Sequence, residues 1–250
     1  MNNSELYEDN PSIFQKFIAL TNQKEILVSK VCKKIQDNYI SKELSLLDIG
    51  CADGMVTLQI IDRLKQLYKL DITCIETSKE LLDQFKARTD YDINFINESV
   101  ELLGLLPKSD FILMAHVMSY INNVEDFLDK IMSSLNSDGM ALIVVSNKDS
   151  DDKKVKDSLN SNNNSISAIV RNILDKKKIK YDVEIVESEI DASGLEEMNE
   201  KGKTIIEFLK HKRIEDISTD VINDIRNKLL NFANENKKII KREDYIWIKK

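Results

Sequence analysis

Leu46-Leu47-Asp48-Ile49-Gly50-Cys51-Ala52-Asp53-Gly54 decides how the whole chain is read. An apolar run ends in a carboxylate and two glycines. An amphipathic segment follows at once, with Val56, Ile60, Leu64, Leu67 and Tyr68 at helical spacing. A strand, a tight glycine loop and a helix N-terminus in that order form a nucleotide-binding unit. Gly50 permits the sharp turn. Gly54 is expected to let the backbone pass close to a ligand with no Cβ in the way.

Asp71-Ile72-Thr73-Cys74-Ile75-Glu76 reads as a second strand ending in a carboxylate. An acidic residue about 20 positions past the glycine loop is placed to accept both hydroxyl hydrogens of a ribose. Such a pair serves a dinucleotide or S-adenosylmethionine equally well; the bland alternative for Glu76 is a solvated strand end. The loop lacks the three spaced glycines of the full dinucleotide pattern, which disfavours a dehydrogenase.

Composition is that of an ordinary globular chain: 250 residues, 42% hydrophobic, 32% charged, with six glycines and two prolines. Long helices and short loops are expected. No apolar run reaches the length of a membrane span, and MNNSELYEDN at the start lacks the apolar stretch of a signal peptide. Cys32, Cys51 and Cys74 suit a reducing, cytoplasmic setting, and none has metal-ligand spacing, so no metal is expected. The net charge of −7 is uneven. Residues 1–150 carry 15 Lys and Arg against 23 Asp and Glu, whereas residues 151–250 carry 21 against 20. An acidic front half is a poor platform for nucleic acid. The basic run Lys176-Lys177-Lys178 with Lys180 reads as a helix end complementing the dipole.

Strand and helix patterns alternate along the chain. Residues 11–36 read as helical, with Phe14 and Phe17 either covering a pocket or packing a helix core. Thr77-Ser78-Lys79-Glu80 has the form of a capping box. Strands are expected at Ile93–Ile96, Asp110–Val117, Met140–Ser146, Tyr181–Ser188 and Lys238–Lys249, and helices at Val124–Leu135, Ile166–Lys177, Gly202–Lys212 and Asp220–Glu235. Residues 147–165 are polar and read as a loop or a partly ordered helix. The expected fold is α/β: a Rossmann-like, doubly wound, seven-stranded, mostly parallel sheet with a small helical elaboration over the substrate. The expected division is a helical cap over 1–40, a cofactor-binding core over 41–190, a helical insertion walling the substrate over 191–234, and a last core strand over 235–250. Gly50–Gly54, Glu76, Asn97–Ser99 and Ala115–Tyr120 should meet at the carboxyl edge of the strands.

With these residues in order, the chain resembles the class I S-adenosylmethionine-dependent methyltransferases. The likeness rests on LLDIGCADG, CIETS, DFILMAHVMSYI and LNSDGMALIVVS, and extends over roughly residues 8–250. Ala52 stands where many members carry a central glycine. Within the family, FQKF, LQII, VMSYI, GKTIIEFL and YIWI resemble histamine N-methyltransferase. The resemblance implies S-adenosylmethionine as cofactor, with Gly50, Ala52 and Gly54 along its methionyl part, Glu76 and Thr77 at the ribose, and Ser99 and Ala115 near the adenine. Asp48 would order the loop and the cofactor amino group. His116 and Tyr120 fall on the substrate side. Gln23 stands where histamine N-methyltransferase has a glutamate, which suits a less cationic acceptor.

The implied activity is methylation of a small molecule, at nitrogen, by a monomer that binds neither nucleic acid nor membrane. The sulfonium methyl is already activated, so alignment and exclusion of water supply most of the catalysis. A general base is needed only for a protonated acceptor, and His116 is the candidate. A peptide or protein substrate, or a non-catalytic S-adenosylmethionine-binding scaffold, is the alternative.

Overall fold

The computed structural model describes residues 11–159 and 165–250. Residues 1–10 of the expected cap, and 160–164 of the polar stretch, lie outside the described residues. The elements are α1 (Pro11–Ile18), α2 (Gln23–Asn38), β1 (Glu43–Ile49), α3 (Met55–Leu64), β2 (Lys69–Ile75), α4 (Lys79–Lys86), β3 (Asn94–Ile96) and β4 (Ser109–Ala115). There follow α5 (Val124–Ser134), β5 (Leu135–Ser146), α6 (Asp151–Leu159), α7 (Ile166–Lys176), β6 (Tyr181–Asp191), α8 (Glu200–Lys210), α9 (Thr219–Phe232) and β7 (Lys238–Lys249). The seven strands form one sheet in the order β3-β2-β1-β4-β5-β7-β6. The pairs β1–β2, β1–β4, β2–β3 and β4–β5 are parallel. Asn147 N–H donates to the Arg242 carbonyl and Lys250 N–H to the Gly139 carbonyl, both at 3.0 Å, so β7 runs against β5. The Rossmann-like, mostly parallel architecture is therefore the observed one.

The chain divides into two compact units. The larger comprises Leu27–Val145, Ile166–Glu184 and Asp244–Lys250. Its strands are apolar because both faces are covered. Leu47, Ile49, Ile112, Met114, Ala141 and Ile143 form one core with Phe127, Leu128 and Ile131 of α5 and Val170 and Leu174 of α7. On α2, Leu27, Val28, Val31, Cys32 and Ile35 are buried, the stripe that helical spacing predicts.

Several boundaries differ from expectation for local reasons. β4 ends at Ala115 because His116 takes a left-handed conformation, φ 62°, and a 3₁₀ turn over Met118–Tyr120 follows. α5 ends at Ser134, ahead of Gly139. Leu135 already pairs with Ser109, while Phe111 pairs with Met140, so residues 136–139 are accommodated by a register shift. Helix α4 is capped by Ser78, whose hydroxyl accepts Leu81 N–H at 3.4 Å, one residue later than the capping box implied.

The second unit comprises the described residues up to Ile26, Ser146–Ser165 and Ile185–Glu243. Its core gathers Phe17 and Ile18 of α1, Val155 of α6, Ile205, Ile206 and Leu209 of α8, and Ile225 and Leu229 of α9. Phe17 is fully buried and stacks on Phe208 with centroids 3.6 Å apart, so it is a core residue. The polar 147–165 stretch supplies α6. There Lys156 Nζ lies 2.8 Å from His211 Nε2. Burial, then the Lys156 charge, pushes the His211 imidazole down to about 4, so this histidine is neutral at pH 7.

Tyr39 ties α2 to the sheet: its hydroxyl donates to the Asp110 carbonyl and accepts Met140 N–H at 3.0 Å. Tyr39→Phe strands both backbone groups. It should destabilise the protein by about 1–3 kcal/mol. In urea titrations the midpoint falls at unchanged slope.

Candidate functional site

The site grows from the ends of β1 and β2 in the larger unit. Ile49 pairs with Ile75 as the last step of the register. The chain then turns back. Gly50 N–H and Cys51 N–H both donate to the Ile75 carbonyl, at 2.7 and 3.3 Å. Gly50, Ala52 and Gly54 take φ values of 75°, 49° and 76°, all left-handed. For Ala52 that conformation costs about 1–2 kcal/mol. Its N–H is held at 3.0 Å by Glu76 Oε2. Glu76 Oε1 accepts Ser78 N–H at 2.9 Å and the Thr77 hydroxyl at 3.3 Å. The Asn97 side-chain amide donates to the Glu76 and Thr77 carbonyls at 2.8 and 2.9 Å, fastening the exit of β3 to the same point.

Asp48 lies beneath the loop, buried, and accepts the Thr57 hydroxyl from the first turn of α3. Burial raises its carboxyl to about 7. The Thr57 bond opposes that rise and the Glu76 charge adds to it. Gly54 is the N-cap of α3 and offers no capping side chain, so the helix presents its first-turn N–H groups uncapped by it.

The two glycines are explained by packing within the protein. A Cβ on Gly50 would sit 2.4 Å from Val117 Cγ2, and one on Gly54 would sit 2.2 Å from the Phe85 ring. The anticipated clearance for a ligand at Gly54 is therefore occupied by Phe85. Arg88 Nη1 donates to both the Asp53 carbonyl, at 3.0 Å, and Asp53 Oδ2, at 2.7 Å.

Ala52 and Thr77 are thus joined through the Glu76 carboxylate, while Gly50 is held by the Ile75 carbonyl, Gly54 by the Cys51 carbonyl at 3.0 Å, and Asp48 by Thr57. Ser99 lies in the turn two residues past Asn97, its hydroxyl accepting Glu101 N–H at 3.4 Å. Ala115 ends β4 half-buried, and His116 N–H donates to the Val144 carbonyl at 2.9 Å. Tyr120 is exposed at the end of the 3₁₀ turn. Gln23 belongs to the second unit, at the start of α2. It is buried, and among the described residues its Oε1 has no hydrogen-bond partner. Among the described residues no three His, Cys, Asp or Glu side chains cluster as a metal site. Sequence reasoning missed Thr57, Phe85, Arg88 and Val117. Only Thr57, a hydroxyl one turn into the helix after Asp48, carried a signal that spacing could have found.

Residues 47–141 match the family model described as methyltransferase domain. The curated relatives include the ubiquinone biosynthesis O-methyltransferase of Rickettsia typhi, 24% identical over 127 residues that cover 50% of this chain and 48% of that protein. The chain thus spans about half the length of the curated relatives it matches. Among solved structures, the plantazolicin methyltransferase BpumL in complex with a triazolic desmethylPZN analog and SAH aligns over 99% of this chain and 88% of its own. The TM-score is 0.54 and the identity 15%. Coclaurine N-methyltransferase bound to N-methylheliamine and SAH aligns over 91% of this chain and 72% of its own, with a TM-score of 0.54 and 17% identity. The fold is that of the class I S-adenosylmethionine-dependent methyltransferases.

Gly54→Ala must adopt a left-handed backbone and meet the Phe85 ring. The strain and overpacking together should cost about 2–4 kcal/mol. Thermal melting of Gly54→Ala alone and with Phe85→Leu checks this. The smaller side chain at position 85 should restore part of the loss, while φ strain persists.

Proposed function

We propose that this chain is an S-adenosylmethionine-dependent methyltransferase whose acceptor is a small molecule or a peptide. The observation that carries the reading is Glu76, a half-buried carboxylate bonded to the left-handed loop 50–54 at the end of the neighbouring strand. The residues fit the cofactor. Glu76 Oε2 accepts one N–H and so retains an acceptor site for a ribose hydroxyl. At the N-terminus of α3 Gly54 offers no capping side chain and Asp53 Oδ1 accepts only Met55 N–H, at 3.5 Å, so the remaining first-turn N–H groups favour a carboxylate. Bound there, S-adenosylmethionine supplies a methyl group already activated on sulfonium.

In this reading Glu76 and Thr77 hold the ribose, Gly50, Ala52 and Gly54 line the methionyl part, Asp48 orders the loop, and Ser99 and Ala115 border the adenine. His116 accepts the proton of an acceptor that arrives protonated, and Tyr120 orients it. Gln23, buried and with its carbonyl unpartnered among the described residues, suits an acceptor that donates a hydrogen bond without carrying full charge. In the same reading the helical segments 1–40 and 191–234 are assigned to acceptor selection, and 41–190 with strand 235–250 to the cofactor.

Nitrogen as the acceptor atom is the narrower reading. It rests on the segments resembling histamine N-methyltransferase. The similar proteins divide on this point, one being named an O-methyltransferase and another an N-methyltransferase. Buried free thiols at Cys32, Cys51 and Cys74 agree with a reducing, cytoplasmic compartment. No helix among the described residues is long and apolar enough to cross a membrane. The acidic balance argues against a nucleic-acid substrate, and a monomer is the simplest assembly.

Calorimetric titration of S-adenosylhomocysteine tests the cofactor assignment. Glu76→Gln keeps an oxygen for Ala52 N–H but loses the charge. Each charge-assisted bond is worth about 1.5–3 kcal/mol, so affinity should fall about tenfold or more. Equal affinity in wild type and variant would remove Glu76 from the cofactor site. With an acceptor in hand, His116→Ala and Tyr120→Phe should lower methyl transfer while S-adenosylhomocysteine affinity stays within about threefold.

A further inference from the structure

We propose that Arg88 is the positioning residue of the cofactor loop, clamping it through Asp53 from the end of α4. The consequence for cofactor binding rests on the methyltransferase reading; the clamp itself does not.

The loop closes one internal turn, Gly54 N–H donating to the Cys51 carbonyl at 3.0 Å, and needs restraint from outside for the rest. Three of its five residues, Gly50, Ala52 and Gly54, are left-handed, and one of them carries a Cβ. Such a segment persists only where its surroundings over-determine it. The first restraint is the Ile75 carbonyl, which fixes Gly50 and Cys51. The second is Glu76 on Ala52 N–H. That carboxylate is also the group assigned to the ribose, so it cannot serve the loop alone. Beyond Ala52, Arg88 restrains the loop from outside the ligand-contacting set.

Its geometry suits the task. One guanidinium nitrogen holds the main-chain carbonyl and the carboxylate of Asp53 together. Asp53 is 7% exposed and Arg88 38%, so the bond is shielded on the loop side. Arg88 is itself anchored, its N–H donating to the Phe85 carbonyl at 2.9 Å. The Phe85 ring fills the space where a Cβ on Gly54 would stand, and packs edge-on against Phe95 at 5.0 Å. Side chains three residues apart on one helix end thus grip Asp53 and Gly54, the two residues that deliver the chain into α3. A ligand lying on the loop then meets a surface set before it arrives, which is how preorganisation strengthens binding.

The test compares wild type with Arg88→Met, Arg88→Lys and Asp53→Asn. Amide resonances and exchange rates of Gly50, Ala52 and Gly54 are recorded without ligand, and S-adenosylhomocysteine is titrated by calorimetry. Arg88→Met should shift these resonances and weaken the ligand about tenfold. Arg88→Lys should recover most of both, and melting of the ligand-free protein should move by only a few degrees. Unchanged loop resonances in a folded Arg88→Met, or an affinity within about threefold of wild type, overturns the proposal. So does a loss that follows melting temperature and that Lys does not rescue. Should Arg88→Met fail to fold, Asp53→Asn carries the same comparison with the loop carboxylate neutralised. If wild type itself binds no S-adenosylhomocysteine, the cofactor reading fails, and the loop resonances still decide the role of Arg88.

Discussion

The Ile75 carbonyl is the point on which the site depends. It sits at the last residue of β2 and takes two N–H donors, from Gly50 and Cys51. That one acceptor prevents β1 from continuing as a strand and folds the chain back over its neighbour. Because Ile49 and Ile75 are in register, the residue after Ile75 must lie beside the loop. Glu76 is therefore brought to Ala52 by sheet geometry, and the side-chain bond only finishes what the parallel pairing begins. A one-residue slip of β2 would carry the carboxylate to the other face of the sheet and leave no site.

Most of this was legible from the chain. Near-continuous apolar runs such as Leu44–Ile49 and Phe111–Met114 signal strands buried on both faces, and the structure places them at the centre of the sheet. Asp48, Gly50 and Glu76 stand out by type and spacing, and the structure puts them at adjoining strand ends, because the turn and the carboxylate are local to those ends. Gly54 was expected to leave the space of its missing Cβ to a ligand, but the body filling that space is a phenylalanine 31 positions away. Nothing in a single sequence pairs Gly54 with Phe85, or Asp53 with Arg88. Those partners follow from how α4 packs, a tertiary matter that periodicity does not encode.

The second unit shows the same limit from another side. Residues 147–159 look like a solvated stretch, yet Asn147, Ser150, Asp151 and Asp152 are buried. The Ser150 hydroxyl accepts Arg242 N–H at 2.8 Å and donates to Asp152, and Arg242 reaches Glu187 at 2.8 Å. Polar residues are hidden there because they find partners, Arg242 for Asn147, Ser150 and Asp151 and the nearby Ser150 for Asp152, and composition alone favours the solvated reading. His211 follows the same rule. Half-buried, it lies 2.8 Å from a lysine 55 residues earlier, and burial, then that charge, keeps the ring neutral.

Ala52 joins these threads. An alanine at φ 49° is a departure that costs free energy in the empty loop, and glycine would remove that cost. The residue tolerates its position because Glu76 takes its N–H at 3.0 Å. The same carboxylate is the group proposed to meet a ribose, and in that reading the strain of the loop and the recognition of ligand share one side chain. A ligand that draws Glu76 toward its hydroxyls loosens Ala52, unless the loop is held elsewhere. The carbonyl of Ile75 before the alanine, and Arg88 on Asp53 after it, supply that hold. The alanine is thus compatible with a preformed site only because restraints flank it on both sides.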